Sequence, residues 1–205
     1  MDDLHVTIEP ERIVTSSLVL RSWSAEDAAE AFEIYGDPET AEAIGRQQPA
    51  RDLDDMKELL GRWSLQSAQS PFPQGLWAVE AAADGQLLGG ATLLPFGSRH
   101  PQLVMGWHLR PGARGRGVAG QIGHALAHQA FVASDVREVF VASSAQNTDS
   151  VAVARRLGMT AVDTDDWVYR GAPLMVLRMR RGDLHKVRPG ISMDDSYDPE
   201  GLDDW

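Results

Sequence analysis

The chain has 205 residues, of which 43% are hydrophobic and 24% charged, so it suits one globular domain with its own core. It contains no cysteine, which excludes disulfides, thiolate metal sites and covalent catalysis through a thiol. The net charge of −11 argues against general binding to nucleic acid or to an anionic membrane. No apolar run reaches the ~18 residues of a membrane span, and the N-terminus is too acidic and polar for a signal peptide, so we expect a cytoplasmic protein.

Hydrophobic periodicity and turn residues divide the chain into strands and helices. They predict, in chain order, a strand at 16–23, helices at 24–36, 37–45 and 52–69, a hairpin of strands at 76–82 and 86–96, a strand at 102–110, a helix at 118–134, a strand at 136–143, a helix at 147–157, and strands near 160–169 and 173–180. Ser24 and Asp27 have the spacing of a capping box, and Asp84-Gly85 is typical of a hairpin turn. Gly106 inside its strand marks either a bulge or a close backbone approach.

The strand at 102–110, the helix at 118–134 and the strand at 136–143 follow one another with a tight first turn. This order implies a right-handed crossover between parallel strands. Because a three-stranded meander ends in the first of these strands and two further strands follow the crossover, the sequence predicts a single α/β domain with a mixed sheet.

The residues PGARGRGVAG, 111–120, connect the central strand to the helix that follows it. Gly115, Gly117 and Gly120 spell G-x-G-x-x-G, but the context does not fit a Rossmann unit. The loop follows a meander, and the next strand ends at 142–144 without the acid that would bind a ribose. A Walker loop needs G-K-[ST], which is missing. A tight turn that only lets the helix approach the sheet is the structural alternative.

Several properties of this loop favour the binding of an anion. The first N–H groups of a helix have no partner inside the helix, and the helix dipole adds partial positive charge there. The glycines leave room for a ligand at the backbone, and Arg114 and Arg116 supply charge for phosphate oxygens. The sequence therefore predicts a pyrophosphate site at the start of the helix at 118–134.

The loop RGRGVA, residues 114–119, resembles the [RQ]-x-x-G-x-[GA] loop of the GNAT-type, acetyl-CoA-dependent N-acetyltransferases, whose backbone amides bind the pyrophosphate of coenzyme A. Downstream, NTDS at 147–150 and RLGM at 156–159 are similar to the N-x-x-S…K-L-G-F segment of one branch of that family. That branch acetylates the N-terminal amines of ribosomal proteins. The likeness covers residues 14–182.

The resemblance implies an α/β domain with the GNAT-type acyl-CoA N-acyltransferase fold, a mixed and mostly antiparallel central sheet flanked by helices. We expect this domain at residues 1–185, with its core at 14–182, and a flexible acidic tail at 186–205. The implied activity is acetyl-CoA-dependent transfer of acetyl to a primary amine, on a protein N-terminus or a small molecule. Since the chain has no cysteine, we expect direct attack in a ternary complex. Neither nucleic acid nor membrane is expected as a partner, and a homodimer is left open.

The resemblance also implies roles for individual residues. The pantetheine arm of coenzyme A is expected to pair with the strand segment from Gly106 to Arg110, where an amide polarises the thioester. The implied cofactor-binding residues are Leu109, Arg110, Arg114, Gly115, Arg116, Gly117, Val118, Ala119, Gly120 and Asn147. Ser150 is the candidate donor to the departing sulfur, although Asn147 and Ser150 also stand where helix caps are expected.

The general base is the least determined part of this prediction. Relatives often carry Glu and Tyr at the positions that Val104 and Ala154 hold here. His108 shares a strand face with Gly106 and titrates near neutrality, so it is the candidate base. The alternative is that His108 is a structural strand histidine.

Other assignments stay open from sequence. Proton transfer through water to Glu80, or to the carboxylates of Asp163, Asp165 and Asp166, competes with His108. The missing Glu and Tyr keep a second class of protein open, a non-catalytic sensor that binds acetyl-CoA. A nicotinamide-dinucleotide enzyme is the third and weakest interpretation.

Overall fold

The computed structural model describes residues 5–9, 12–44, 46, 48–97, 101–132, 134–163, 167–169 and 171–186. Within these ranges the strands are β1 (Thr7–Glu9), β2 (Arg12–Val14), β3 (Leu18–Arg21), β4 (Gly75–Ala81), β5 (Leu87–Phe96), β6 (Gln102–Leu109), β7 (Glu138–Ser143), β8 (Thr160–Val162), β9 (Val168–Tyr169), β10 (Ala172–Pro173) and β11 (Met175–Arg180). The helices are α1 (Ala28–Tyr35), α2 (Pro38–Ala43), α3 (Leu53–Gln69), α4 (Val118–Val132) and α5 (Thr148–Arg156), with 3-10 turns at Ala25–Asp27, Pro111–Ala113 and Arg181–Lys186.

In the described part of the chain, nine strands form one sheet in the order β1-β2-β3-β4-β5-β6-β7-β11-β8, and β9 and β10 form a separate hairpin. Neighbouring strands of the large sheet are antiparallel, except that β6 and β7 run parallel. The parallel step is the crossover through α4. A mixed, mostly antiparallel sheet flanked by helices confirms the predicted fold class.

Helix starts follow the capping signals in the sequence. The Ser24 hydroxyl accepts from the Glu26 N–H at 3.2 Å, and the Asp27 carboxylate accepts from the Ser24 N–H at 2.8 Å, which confirms the capping box. The first turn after Ser24 is a 3-10 turn that leads into α1. Asp52 caps α3 in the same way, because its carboxylate accepts from the Asp55 N–H at 2.8 Å. Losing such a cap costs about 1 kcal/mol.

The two faces of the sheet carry separate apolar cores. Trp77 and Val79 of β4 face α4, where they join a cluster that includes Ile122 and Leu126. Ala78 alternates with them and faces α1 and α3. Full burial of each large apolar side chain contributes roughly 1.5–3 kcal/mol, so both helical layers are held to the sheet mainly by this packing. None of the helices in the described ranges is long and apolar enough to cross a membrane.

The fold differs from the sequence-based prediction in two places, at Gly106 on β6 and at the first two strands of the sheet. The register between β5 and β6 continues through Thr92↔Gly106, so the bulge considered at Gly106 is absent. A Cβ at Gly106 would lie 2.6 Å from the Thr92 Oγ1, so glycine serves a close side-chain approach instead. The hairpin of β1 and β2 was not predicted, because three-residue strands are too short to show a period.

The end of the chain is more divided than predicted. The strand expected at 160–169 is split, because β8 pairs with β11 at the sheet edge whereas β9 pairs with β10 alone. Gly171 has φ +82° in the turn of that small hairpin. Residues 187–205, nearly all of the predicted acidic tail, lie outside the described residues.

Candidate active site

A gap in the sheet lies between β6 and β7. In the described structure these parallel strands have one register pair, Val104↔Phe140, although β6 continues to Leu109 and β7 to Ser143. The Arg110 N–H donates to the carbonyl of Leu88 on β5. Because strand residues alternate in direction, the peptide groups of Trp107 and Leu109 point to the opposite side, into the gap. An extended chain with amide groups fits there as an added strand.

The start of α4 lies at the open end of this gap. Gly115 and Gly117 have φ of +70° and +76°, a conformation that glycine adopts without strain. The first helical hydrogen bond runs from the Gln121 N–H to the Gly117 carbonyl at 3.2 Å. The N–H groups at 118–120 therefore have no acceptor within the helix. A Cβ at Gly117 or Gly120 would meet no atom within 4 Å, so this backbone faces open space that can hold an anion.

The three arginines around the loop differ in how much of each guanidinium remains available to a ligand. Both sides of the Arg110 guanidinium are bound: Nε and Nη2 donate to the Glu33 carboxylate at 3.0 and 2.8 Å, and Nη1 to the Leu87 carbonyl at 3.0 Å. The Arg110 N–H donates to the Leu88 carbonyl and the Arg110 carbonyl accepts from the Ala113 N–H, so this residue offers a ligand no open backbone donor, and its side chain ties β6 to α1. Arg114 donates to the Leu109 carbonyl at 3.3 Å, and both Arg114 and Arg116 are exposed. These two side chains supply the positive charge beside the open N–H groups.

Asn147 and Ser150 lie where α5 begins, just after the C-terminal end of β7. The Asn147 Oδ1 accepts from the Ser150 N–H at 3.1 Å, so Asn147 is the N-cap that its position indicates. This cap occupies the amide oxygen and leaves the amide nitrogen as a donor. Capping and a contact to a cofactor are therefore compatible at Asn147. The Ser150 hydroxyl is partly exposed on the first turn of the same helix.

His108 lies on the face of the sheet that carries α1 and α3. Its ring contacts Tyr35 edge-to-face, with centroids 5.8 Å apart, and it pairs across the strands with Gly90. The His108 Nδ1 is buried and has no hydrogen-bond partner among the described residues. Burial disfavours the charged imidazolium and lowers the pKa of His108 to about 4. The imidazole is therefore neutral at pH 7 and can accept a hydrogen bond.

We expect His108 to make the fold less stable in acid. Its folded pKa of about 4 lies below the ordinary value of about 6.5, so between these values the unfolded chain binds a proton that the native protein does not. The contribution of neutral His108 to the free energy of unfolding is fully present above pH 6.5 and is lost as the pH falls towards 4. By pH 5 the loss is about 1–2 kcal/mol. Urea unfolding at pH 7 and pH 5 should show that His108→Gln loses less stability than the wild type. Equal losses in the two proteins would contradict this assignment.

The other candidate bases lie away from the gap or in ion pairs. Glu80 accepts from Arg21 at 2.7 Å and lies on β4, two strands from β6. Asp163 follows β8 at the far edge of the sheet and is exposed, and Asp165 and Asp166 lie outside the described residues. Val104 and the fully buried Ala154 stand at the positions where the resemblance places Glu and Tyr, so neither a carboxylate nor a phenol is available there.

An aromatic cluster beside His108 was not predicted from sequence. Tyr35 packs edge-to-face on Trp63, with centroids 4.7 Å apart, and both contact Trp23 at about 6 Å. Burial raises the pKa of the Tyr35 hydroxyl well above its ordinary value, so it is neutral. These rings come from the segment after β3, from α1 and from α3, far in sequence from His108. No short-range pattern could have placed them together.

Taken together, the helix start has free donors of the kind that a diphosphate requires, and the strand gap has peptide groups of the kind that an extended amide chain requires. A family model for the acetyltransferase (GNAT) domain matches residues 17–160. The chain therefore belongs to the GNAT acetyltransferases, which use acetyl-CoA, and this confirms both the resemblance and the cofactor.

Solved structures agree with this fold. An acetyltransferase from Agrobacterium tumefaciens str. C58 has a TM-score of 0.65 at 24% identity, over 88% of this chain and 99% of its own. A GNAT-family acetyltransferase from Bacillus anthracis has a TM-score of 0.68 at 14% identity, over 83% and 99%. The ribosomal L7/L12 alpha-N-protein acetyltransferase RimL, in complex with coenzyme A, has a TM-score of 0.66 at 14% identity, over 82% and 96%.

Proposed function

We propose that this protein transfers the acetyl group of acetyl-CoA to a primary amine, on a protein N-terminus or a small molecule, by direct attack in a ternary complex. The observation that carries the proposal is the position of the open N–H groups at 118–120 beside the gap between β6 and β7. With no cysteine in the chain, a cysteinyl acyl intermediate is excluded.

The cofactor would be held by backbone more than by side chains. The peptide nitrogens from Gly115 to Gly120 would bind the diphosphate, assisted by Arg114 and Arg116. The peptide groups of Trp107 and Leu109 would pair with the amides of the pantetheine arm, and the Asn147 amide nitrogen would donate to it. The cofactor would thus supply hydrogen-bond acceptors to N–H groups that have none within the helix.

Acetyl-CoA supplies a thioester carbonyl and a thiolate leaving group. The amine must be neutral to attack, which favours an α-amine with a pKa of about 7.7–8.0 over a lysine with a pKa of about 10.4. A peptide N–H of β6 that faces the gap, such as that of Trp107, would stabilise the developing oxyanion. The neutral His108 ring would accept a hydrogen bond from the attacking amine, and the Ser150 hydroxyl would donate to the sulfur. As the C–N bond forms and the C–S bond breaks, the proton that the amine loses would pass to the departing thiolate, which leaves as the thiol of coenzyme A.

Replacing Ser150 with alanine should lower kcat about 10–100-fold, because the sulfur loses its donor in the transition state. The effect stays modest, since a thiol with a pKa of about 8.5 also leaves without help. KM for acetyl-CoA should change little. Release of coenzyme A can be followed with a thiol reagent against several primary amines, because the chain has no thiol of its own. Thr148→Ala, on the same turn of α5, is the matched control and should keep kcat. A full kcat in Ser150→Ala would remove this residue from the chemistry.

A non-catalytic acetyl-CoA sensor is the second candidate. It is favoured by Val104 and the buried Ala154, which stand where relatives often carry Glu and Tyr. A sensor would be stabilised by acetyl-CoA in thermal unfolding and would acetylate none of the amines. Acetyl transfer to any of them at rates above the uncatalysed reaction would exclude this candidate.

A further inference from the structure

One face of β5, β6 and β7 carries a continuous strip of uncharged side chains. The register pairs Thr92↔Gly106, Leu94↔Val104 and Val104↔Phe140 place these residues on the face of His108. We call this surface the acceptor strip, and its members are Thr92, Leu94, Phe96, Val104, Gly106, His108, Phe140 and Ala142. All except Phe140 are partly exposed, so the strip is open to a ligand.

Aromatic rings bound the acceptor strip at both ends. At one end Tyr35 packs on His108, and the partly exposed Trp63 packs on Tyr35. At the other end Trp167 stacks on Phe96, with centroids 5.0 Å apart and planes 20° apart, and also contacts Phe140 at 5.4 Å. Val104 and His108 are four positions apart on β6, which is about 13 Å of strand. That length suits one or two rings laid along the sheet.

Among the residues that the structure describes, four carboxylates near this face are paired with arginines. Glu33 binds Arg110 at 2.8 Å. Asp27 and Glu80 both bind Arg21, at 2.8 and 2.7 Å. On β7, Glu138 lies 3.5 Å from Arg178 and 3.2 Å from Arg180. Beside these four residues, a second ammonium group would lose its water and meet a carboxylate whose charge is balanced, which is unfavourable.

We infer that the acceptor presents its primary amine to His108 from an uncharged, largely apolar body with an aromatic ring, and that a polycation is rejected. This inference rests on the proposed function and adds the class of acceptor to it. Aromatic contacts with Trp63 or Trp167 and burial of apolar area against Leu94 and Val104 favour such a body.

The test compares 2-phenylethylamine with 1,5-diaminopentane, which present the same kind of primary alkyl amine on different bodies. Titration calorimetry of each amine into the protein saturated with coenzyme A should give a Kd at least tenfold lower for 2-phenylethylamine. Equal or tighter binding of the diamine would overturn the inference. Acetyl transfer is measured separately: transfer to neither amine, with this binding preference intact, would count against the proposed function alone.

Val104→Glu places a charge in the middle of the acceptor strip. It should weaken binding of 2-phenylethylamine at least tenfold and reduce the ratio between the Kd values of the two amines. The Kd of acetyl-CoA should stay unchanged. The matched control is Leu65→Glu on α3, where the side chain is 59% exposed, and it should leave the Kd of both amines unchanged. An unchanged preference in a folded Val104→Glu protein would overturn the inference, and if that variant does not fold, the wild-type comparison decides.

Discussion

Replacing Gly117 with glutamate is expected to weaken binding of acetyl-CoA at least 100-fold, about 2.8 kcal/mol. The carboxylate would project into the open space beside the N–H groups at 118–120, where like charge opposes the diphosphate by several kcal/mol. In thermal unfolding the wild type should gain about 2.7 kcal/mol at 100 times its Kd, and the variant should gain about 0.4 kcal/mol or less at the same concentration. Coenzyme A should behave like acetyl-CoA in this measurement, and NAD should stabilise neither protein.

The backbone at Gly117 makes a second control necessary. Its φ of +76° means that any side chain adds strain of about 1–2 kcal/mol. Gly171→Glu carries the same change at φ +82°, also with no atom within 4 Å, in the small hairpin away from α4. It should lose similar stability and keep its affinity for acetyl-CoA. Unchanged affinity in Gly117→Glu would remove the loop from cofactor binding.

Gly90→Ala is expected to lower the free energy of unfolding by about 2–3 kcal/mol. Gly90 lies on β5 opposite His108, and a Cβ there would come within 2.1 Å of the Tyr35 hydroxyl and 2.8 Å of Trp23. These rings are almost fully buried, so they have no free space to move into. Because Tyr35 packs against His108, we also expect the acceptor KM to rise. Urea unfolding and acetyl-transfer kinetics measure the two effects.

Two further variants test the cause of that loss. Tyr35→Phe in the Gly90→Ala background removes the hydroxyl oxygen that lies 2.1 Å from the added Cβ. The double variant should therefore be about 1 kcal/mol more stable than the sum of the two single effects predicts. Gly61→Ala on α3 meets no atom within 4 Å and should stabilise the protein by about 0.5–1 kcal/mol. Additive effects of the two changes at positions 35 and 90 would show that the steric contact is not the cause.

The local structure of the glycine loop and of the start of α5 was largely predictable because its signals are local. Glycines at 115 and 117 adopt the left-handed backbone that they alone adopt without strain, and the helix begins at Val118 as its periodicity predicts. Asn147 caps α5 because a side chain of its type bonds an N–H three residues later. Each of these preferences depends on a few neighbouring residues, so one sequence is enough to show them.

The acceptor side was not predictable in the same way. Arg110 belongs to the loop by sequence, but the fold turns its guanidinium to Glu33, 77 residues earlier. The ring cluster around His108 joins residues from separate elements, and the acceptor strip exists only because β5, β6 and β7 have one particular register.

By itself the sequence determined the order of most elements, the helix caps and the glycine loop, because these follow from backbone preferences and short periods. Only the tertiary structure decided where β6 and β7 separate, which arginines remain available, and that the His108 Nδ1 is buried and the ring neutral. Those properties depend on which distant elements pack together, since burial and charge pairing are set by neighbours in space.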